Sequence, residues 1–353
     1  MPRGDQNMKI ETMIKSLVVS CVLILSAAVT IQAQNFEKRG QTTMKFLSVS
    51  LDAKANALGE ANTSLEGGSE SMFYNPANMS RFDGTISTTF SQVQWIADIN
   101  YSMAGLAYRP ASGRYGVFGL NVMAVDYGSI DETILASNER GYLKIGSYSP
   151  TAFAAGVSYA RAISSQFSVG ANVKFVTFDL AKGATDIIDA EQPLSGDNVS
   201  KTNFSESTIA YDFGVHYITG WKSLNFAFVV RNFSQQVDFD DENAELPLTM
   251  KIGLSMDLMD FTSIDKDMHS VMLSVDAKRP RDFYEQVLVG LDYTFLNSLS
   301  VRGGYGYPNE EQGVSFGGGV NQRYMGVGFE INYSYSDFGV FDNVNTFSLK
   351  LNF

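Results

Sequence analysis

Alternation of apolar and polar residues, repeated segment after segment, is the feature that most restricts what this chain can fold into. In residues 326–336, Val327, Phe329, Ile331, Tyr333 and Tyr335 alternate with Gly328, Glu330, Asn332, Ser334 and Ser336. A period of two puts every apolar side chain on one face of a strand and every polar one on the other. Residues 286–295 repeat the pattern through Val287, Val289, Leu291, Tyr293 and Phe295, and residues 209–218 through Ile209, Tyr211, Phe213, Val215 and Tyr217. Fourteen such segments follow one another: 85–94, 99–109, 115–127, 150–160, 167–180, 209–218, 224–233, 248–258, 269–278, 286–295, 299–307, 313–322, 326–336 and 344–353. They hold 9 to 14 residues each, around the ~9–11 that a tilted strand needs to cross a bilayer.

A soluble two-sheet sandwich would tolerate the alternation, but its strands average nearer ~5–6 residues. Polar faces of Gly, Ser, Asp and Asn suit a wet lumen better than a solvent face rich in Lys and Glu. The pattern is that of an all-β protein, a transmembrane antiparallel β-barrel of about 14 strands.

The connections test this reading. With the first strand running outward, odd-to-even connections are external: 95–98, 128–149, 181–208, 234–247, 279–285, 308–312 and 337–343, together 87 residues. The others, 110–114, 161–166, 219–223, 259–268, 296–298 and 323–325, total 32. Long external loops and short periplasmic turns characterise outer-membrane barrels, and both chain ends then lie inside. The alternation of Phe347, Leu349, Leu351 and Phe353 up to a terminal aromatic resembles the assembly signal of bacterial outer-membrane barrels, which the barrel-assembly machinery reads.

The first 33 residues read as a cleaved signal peptide. Lys9 and Lys15 precede residues 17–31, fifteen without a charge, which is short of the ~20 of a membrane-spanning helix. The export route places the protein in the bacterial outer membrane. The one cysteine, Cys21, falls within that segment, so disulfides do not hold the rest. A net charge of −12 is the wrong sign for neutralising phosphates, which excludes nucleic acid as a partner. Lipid and lipopolysaccharide are the partners a barrel wall implies.

Residues 34–84 do not alternate. An Ala-rich stretch from Asp52 to Gly59 has helical propensity, and Phe73-Tyr74-Asn75-Pro76-Ala77 follows. Fourteen strands enclose a lumen too wide for wall side chains alone, since ~8 strands is already the filled limit. A short, partly helical N-terminal plug is expected, which divides the chain into signal peptide 1–33, plug 34–84 and barrel 85–353. Pro76 fixes its own φ and biases Asn75 toward extended backbone, leaving the Asn75 amide to bond nearby backbone.

These residues carry a resemblance. The Phe46-Leu47 opening, the Asp52-Ala53-Lys54-Ala55 stretch with its following glycine, and Phe73-Tyr74-Asn75-Pro76-Ala77 resemble the PorV/PorQ family, related to FadL-type fatty-acid channels. Residues 155–161 and 167–174 are similar to it as well. The resemblance implies a fourteen-stranded barrel with an N-terminal plug. It implies one of two roles: plug-gated passage of small hydrophobic compounds, or a component of type IX protein secretion. In the second role secreted proteins or secretion-machine subunits are partners. A purely anchoring protein that binds exported proteins without solute transport is the alternative.

An enzyme is not expected. Beyond the signal segment the chain has no cysteine and two histidines, His216 and His269, too few for a multi-histidine metal site. Asp212 and His216 share one strand face but stand about 13 Å apart, so they form no dyad within that strand. A barrel hydrolase would need a serine within reach of His216. The inward-facing polar positions include six basic residues, Lys174, Arg231, Lys251, Lys278, Arg302 and Lys350. Five acidic ones face them, Asp212, Asp257, Asp276, Asp292 and Glu330. Mutual pairing across a hydrated lumen is one reading of them, and a ligand-selecting ring is the other. The external loops hold twenty acidic residues against six basic. Asp238, Asp240, Asp241, Glu242 and Glu245 crowd one loop, an oxygen-rich cluster that suits Ca²⁺ or plain solvation. No other cofactor is expected.

Overall fold

The computed structural model describes residues 40 and 42–353, apart from 136–137, 188–198, 240–241, 267, 310–311 and 342. The signal-peptide expectation and the start of the expected plug lie outside the described residues. The strands are β1 (Ile86–Gln94), β2 (Asn100–Tyr108), β3 (Val117–Asp126), β4 (Ile130–Leu135), β5 (Tyr142–Tyr148) and β6 (Thr151–Ala162). They continue as β7 (Phe167–Ile187), β8 (Val199–Ile218), β9 (Asn225–Ser234), β10 (Val237–Phe239), β11 (Glu242–Ala244) and β12 (Thr249–Asp257). The last six are β13 (His269–Pro280), β14 (Gln286–Phe295), β15 (Leu299–Tyr307), β16 (Ser315–Tyr324), β17 (Val327–Ser336) and β18 (Val344–Asn352).

Fourteen of these strands close a barrel in the order β1-β18-β17-β16-β15-β14-β13-β12-β9-β8-β7-β6-β3-β2, and each corresponds to one of the fourteen alternating segments. The pairs β4–β5 and β10–β11 form separate two-stranded sheets in the two connections 128–149 and 234–247. Alternation does not reveal them, because a hairpin with water on both faces needs no apolar side. For the same reason β7 and β8 run past the wall, their pairing continuing to Ile187↔Val199 with two register shifts.

Burial follows the period of two. In β3, Val117, Asn121, Met123 and Val125 are buried, while Phe118, Leu120 and Val122 are exposed. An apolar outer face with a polar inner one is the reverse of a soluble protein and is what lipid requires. Aromatic side chains gather on the outer face near the short turns: Tyr108, Phe118, Tyr159, Phe167, Tyr217, Tyr293, Tyr324 and Phe353 are all exposed, an interfacial girdle. The barrel seam closes there too. The Phe353 carbonyl accepts from the Ile86 amide at 3.1 Å, and the Phe353 amide donates to the Ile86 carbonyl at 2.8 Å. Phe347 and Phe353 project outward and are exposed; Leu349 and Leu351 share their face of β18.

The N-terminal segment lies inside the lumen. It carries one α-helix, α1 (Ala53–Ala57), and 3₁₀ turns at Lys45–Ser48, Ser69–Phe73 and Pro76–Arg81. The Asp52 side chain caps α1 by accepting from the Ala55 amide at 3.1 Å, which supplies one of the free donors of a helix start. The segment runs from one mouth to the other rather than sitting at one. At the long-loop end, the Thr43 amide donates to the Glu245 carbonyl at 2.9 Å, and Lys45 pairs with Asp282 at 2.5 Å. At the short-turn end, Arg81 donates to the Ser164 carbonyl at 2.8 Å, and Arg109 donates to the Phe82 carbonyl at 2.7 Å. Two apolar clusters bind it to the wall. One joins Phe46, Leu47 and Leu51 to Met123, Val125 and Phe338; the other joins Met72, Met79 and Phe82 to Ala107, Val117 and Ala160. Two wall glycines make room for it. A Cβ at Gly304 would overlap the Leu58–Gly59 backbone, and one at Gly170 would overlap that of Pro76–Ala77.

The clasp at the long-loop mouth has a pH signature. Burial pushes the Asp282 carboxyl up, but Lys45 and Thr42 beside it outweigh burial and hold it below the ordinary carboxylate range. A depressed carboxylate contributes stability above its unfolded value, about 3.9, and loses it as pH falls through the folded value. A Gly40→Cys variant in intact cells should label with a membrane-impermeant maleimide. Because the attacking thiolate is itself depleted in acid, the rate is read against an unfolded control at each pH, and this relative labelling should rise as pH drops below about 4. Complete protection at every pH would place this mouth on the periplasmic side.

Candidate functional site

The wall charges and the N-terminal segment form three clusters inside the barrel, their charged groups buried or half-buried. On β12 and β13, Lys251 and Lys278 stand directly opposite each other, an arrangement that repels unless a third group intervenes. Glu60 of the segment intervenes: its Oε2 lies 2.8 Å from Lys278 Nζ and 3.5 Å from Lys251 Nζ. Lys251 also donates to the Glu60 carbonyl at 3.0 Å. Two residues along β13, on the same face, Asp276 accepts from the Asn62 and Thr63 amides, both at 3.0 Å, and from the Thr63 hydroxyl at 2.6 Å.

The second cluster spans β14 to β18. Cross-strand register sets Asp292 against Arg302 and Glu330 against Lys350, giving ion pairs of 2.9 and 3.2 Å. Arg302 also donates to Asn332 at 2.6 Å. The segment joins this ladder as well: Lys350 pairs with Glu70 at 2.7 Å, and Lys54 stands 4.0 Å from Asp292.

The third cluster lies on β7 to β9, where Lys174 pairs with Asp212 at 2.9 Å and donates to Asn232 at 2.7 Å. Asn232 adopts a left-handed φ of 59° beside a register shift at Tyr211/Phe213. Asp212 accepts its amide at 2.8 Å, so the carboxylate satisfies the donor that the bulge leaves unpaired. Arg231 faces a void shared with Leu47, Met72, Phe73, Met123 and Lys174, with room for about one or two water molecules. Its Nε is buried without a hydrogen-bond partner.

The Asn75-Pro76 element lies between the segment and the wall. Asn75 is extended, at φ −147° and ψ 99°. Its Oδ1 accepts from the Ala77 amide at 3.1 Å, and its Nδ2 donates to the carbonyls of Thr63 at 3.0 Å and Val215 at 3.3 Å. Tyr74 is buried and Phe73 packs against both apolar clusters. Asn78 also donates to Thr63, at 2.9 Å, so one carbonyl of the segment gathers two asparagines.

Two sequence candidates play other parts. Asp257 sits at the short-turn rim, accepting from the Met259 amide and the Ser270 hydroxyl, both at 2.8 Å, and joins none of the three clusters. His216 is 3.2 Å from the Ser64 carbonyl, which also accepts from Ser255 at 3.2 Å. A histidine nitrogen that donates to a backbone carbonyl is not available there as a base toward a hydroxyl.

At the acidic external loop, Glu245 pairs with Arg281 at 3.1 Å. Asp240 and Asp241 lie outside the described residues, as do the side chains of Asp238 and Glu242. Among the described residues no group of three His, Cys, Asp or Glu is placed to hold a metal ion. The anchors absent from the sequence reading are Glu60, Glu70, Asn62, Thr63 and Arg81, all on the segment. The sequence carries no signal for them; only the register that sets Lys251 against Lys278 shows that an anion must come from elsewhere.

A closed antiparallel barrel of fourteen strands, apolar outside and charged within, is an outer-membrane β-barrel of FadL-like architecture. Its fold is similar to the toluene transporter TbuX of Ralstonia pickettii, with a TM-score of 0.56 at 12% identity over 85% of this chain and 98% of that one. The Pseudomonas putida toluene transporter TodX gives 0.54 at 12% identity, over 84% and 96%. A Pseudomonas aeruginosa FadL homologue gives 0.51 at 11%, over 86% and 98%. Residues 142–353 match the family of the type IX secretion system membrane protein PorP/SprF, and the chain belongs to that family. The type IX and FadL-like parts of the resemblance agree with these matches, whereas the family matched is PorP/SprF and not PorV/PorQ. No curated protein matches the sequence.

Proposed function

We propose that this protein is a sealed outer-membrane component of type IX secretion, which receives or tethers exported proteins and machine subunits through its long loops. The observation that carries this reading is the fixed N-terminal segment. Glu60, Glu70 and the Asn62–Thr63 amides tie it to β12, β13 and β18, and it acts as a plug. Breaking a buried ion pair costs about 3–5 kcal/mol, so several together oppose the opening that a solute channel needs. The long, strongly acidic loops suit binding from outside, and divalent cations would bridge loop 234–247 to lipopolysaccharide phosphates. The Phe73–Ala77 element supports a relation to secretion barrels of the PorV/PorQ kind.

Passage of small hydrophobic compounds is the second reading, supported by the FadL-like fold and by the largely apolar lining of the void beside Arg231. A pull-down from the native outer membrane, with an epitope in loop 181–208, separates the two. Recovery of secreted proteins or secretion-machine subunits supports the platform. Lone recovery, with loss of hydrophobic-compound uptake in a deletion strain, overturns it in favour of the channel.

A further inference from the structure

The two rims differ in charge. The long connections carry twenty acidic and six basic residues, whereas the six short ones carry five basic and three acidic, all three acids in residues 259–268. Turns 110–114, 161–166, 219–223 and 323–325 therefore hold cations alone: Arg114, Arg161, Lys222 and Arg323. Lys222 is already engaged, donating to the Asp260 carbonyl at 2.6 Å with its ammonium 3.9 Å from the Phe261 ring centre.

Arg114 and Arg161 are different. Both are exposed, and neither forms an ion pair among the described residues. Arg161 lies on the outer face of β6, in line with Phe153, Val157 and Tyr159, so its stem runs along the lipid-facing wall. The register Val117↔Ala160 sets Gly116 opposite Arg161, which brings Arg114 and Tyr115 to the same corner. The Tyr159 hydroxyl donates to the Tyr115 carbonyl at 3.1 Å, and the Phe118 and Tyr159 rings meet at 5.2 Å. The Arg114 guanidinium stands 6.0 Å from the Tyr115 ring centre. Behind them Arg109 is held by the Phe82 carbonyl, and its Nε is buried without a partner. Ile163, at the next turn, is exposed.

We propose that this corner, at the short-turn end between the β2–β3 turn and the end of β6, is a binding site for an anionic phospholipid of the inner leaflet. Arg114 and Arg161 hold the phosphate, to which a planar guanidinium offers two parallel donors. Tyr115 and Tyr159 lie at headgroup depth, where tyrosine is favoured. Phe118 and Ile163 meet the acyl chains. Free phosphate lacks that last part, and a lipid is the occupant that uses both the cations and the apolar face.

Native mass spectrometry of the intact barrel in mild detergent tests this, using added phosphatidylglycerol and phosphatidylcholine. The wild type should retain phosphatidylglycerol in preference to phosphatidylcholine. The pair Arg114→Gln, Arg161→Gln should lower that retention about fivefold or more while the heat-modifiable migration of the barrel is unchanged. Arg140→Gln with Lys144→Gln, at the other end, should match the wild type. Equal retention by both double variants overturns the site. So does equal retention of the two lipids, which would mean an apolar collar only. Displacement of the lipid by inorganic phosphate would mean a free-anion site instead.

Discussion

Deletion of residues 34–80 is expected to convert a nearly silent protein into a steadily conducting pore in a planar bilayer, with current at least about tenfold above the intact barrel. The expectation follows from the number of strands. About eight strands already leave an interior that side chains fill, and fourteen leave room that the wall residues of this barrel do not occupy. That room holds α1, three 3₁₀ turns and the buried side chains of Leu58, Met72 and Met79. Removing them also frees Lys251, Lys278, Lys350 and Asp276 to face water, giving a hydrated, charged passage. Replacing Asn75 and Pro76 by Ala should give flickering, intermediate currents, since the bonds to Thr63 and Val215 are lost while the ion pairs persist. A truncated protein that inserts and stays silent would show that the segment is not the plug.

Glu60→Gln should have the second-largest effect. The amide keeps the shape but leaves Lys251 and Lys278 facing each other without a counter-charge. Loss of one partner of a buried pair costs about 3–5 kcal/mol, most of which falls on segment docking rather than on the barrel ladder. The thermal transition of the segment should fall and brief openings should appear, while heat-modifiable migration of the barrel stays intact. Adding Lys278→Gln should restore part of the loss, because it removes the repulsion that Glu60 offsets. If Glu60→Gln alone leaves both transition and conductance unchanged, the pairing at β12–β13 does not hold the segment.

The fourteen strands were legible because lipid on one side and a polar lumen on the other force a strict period of two, and a slip of one residue would exchange the faces. The same logic fails beyond the bilayer. Water on both faces of β4, β5 and the far ends of β7 and β8 removes the contrast that alternation reports, so these stretches read as loops. In the lumen, the wall charges were legible one by one from strand parity. Their partners were not, because which residues meet across a barrel depends on the stagger of the strands. Lys251 against Lys278 and Glu330 against Lys350 emerge only once the register is fixed. Glu60 and Glu70 lie in a segment with no periodicity, where nothing distinguishes an anchoring carboxylate from a solvated one.

The fit between the glycine-bearing wall and the segment has a consequence for how the barrel is made. Gly170 and Gly304 lie on β7 and β15, far apart around the circumference, and each is shaped to a different part of one short stretch of chain. The segment therefore works as a mandrel: it touches the wall on many sides at once, and only one girth lets every contact form. Barrel diameter grows with strand number, so a narrower wall would crowd the segment and a wider one would draw the lysines of β12, β13 and β18 away from Glu60 and Glu70. On this view the strand number is fixed from within, by the size of what the barrel must enclose.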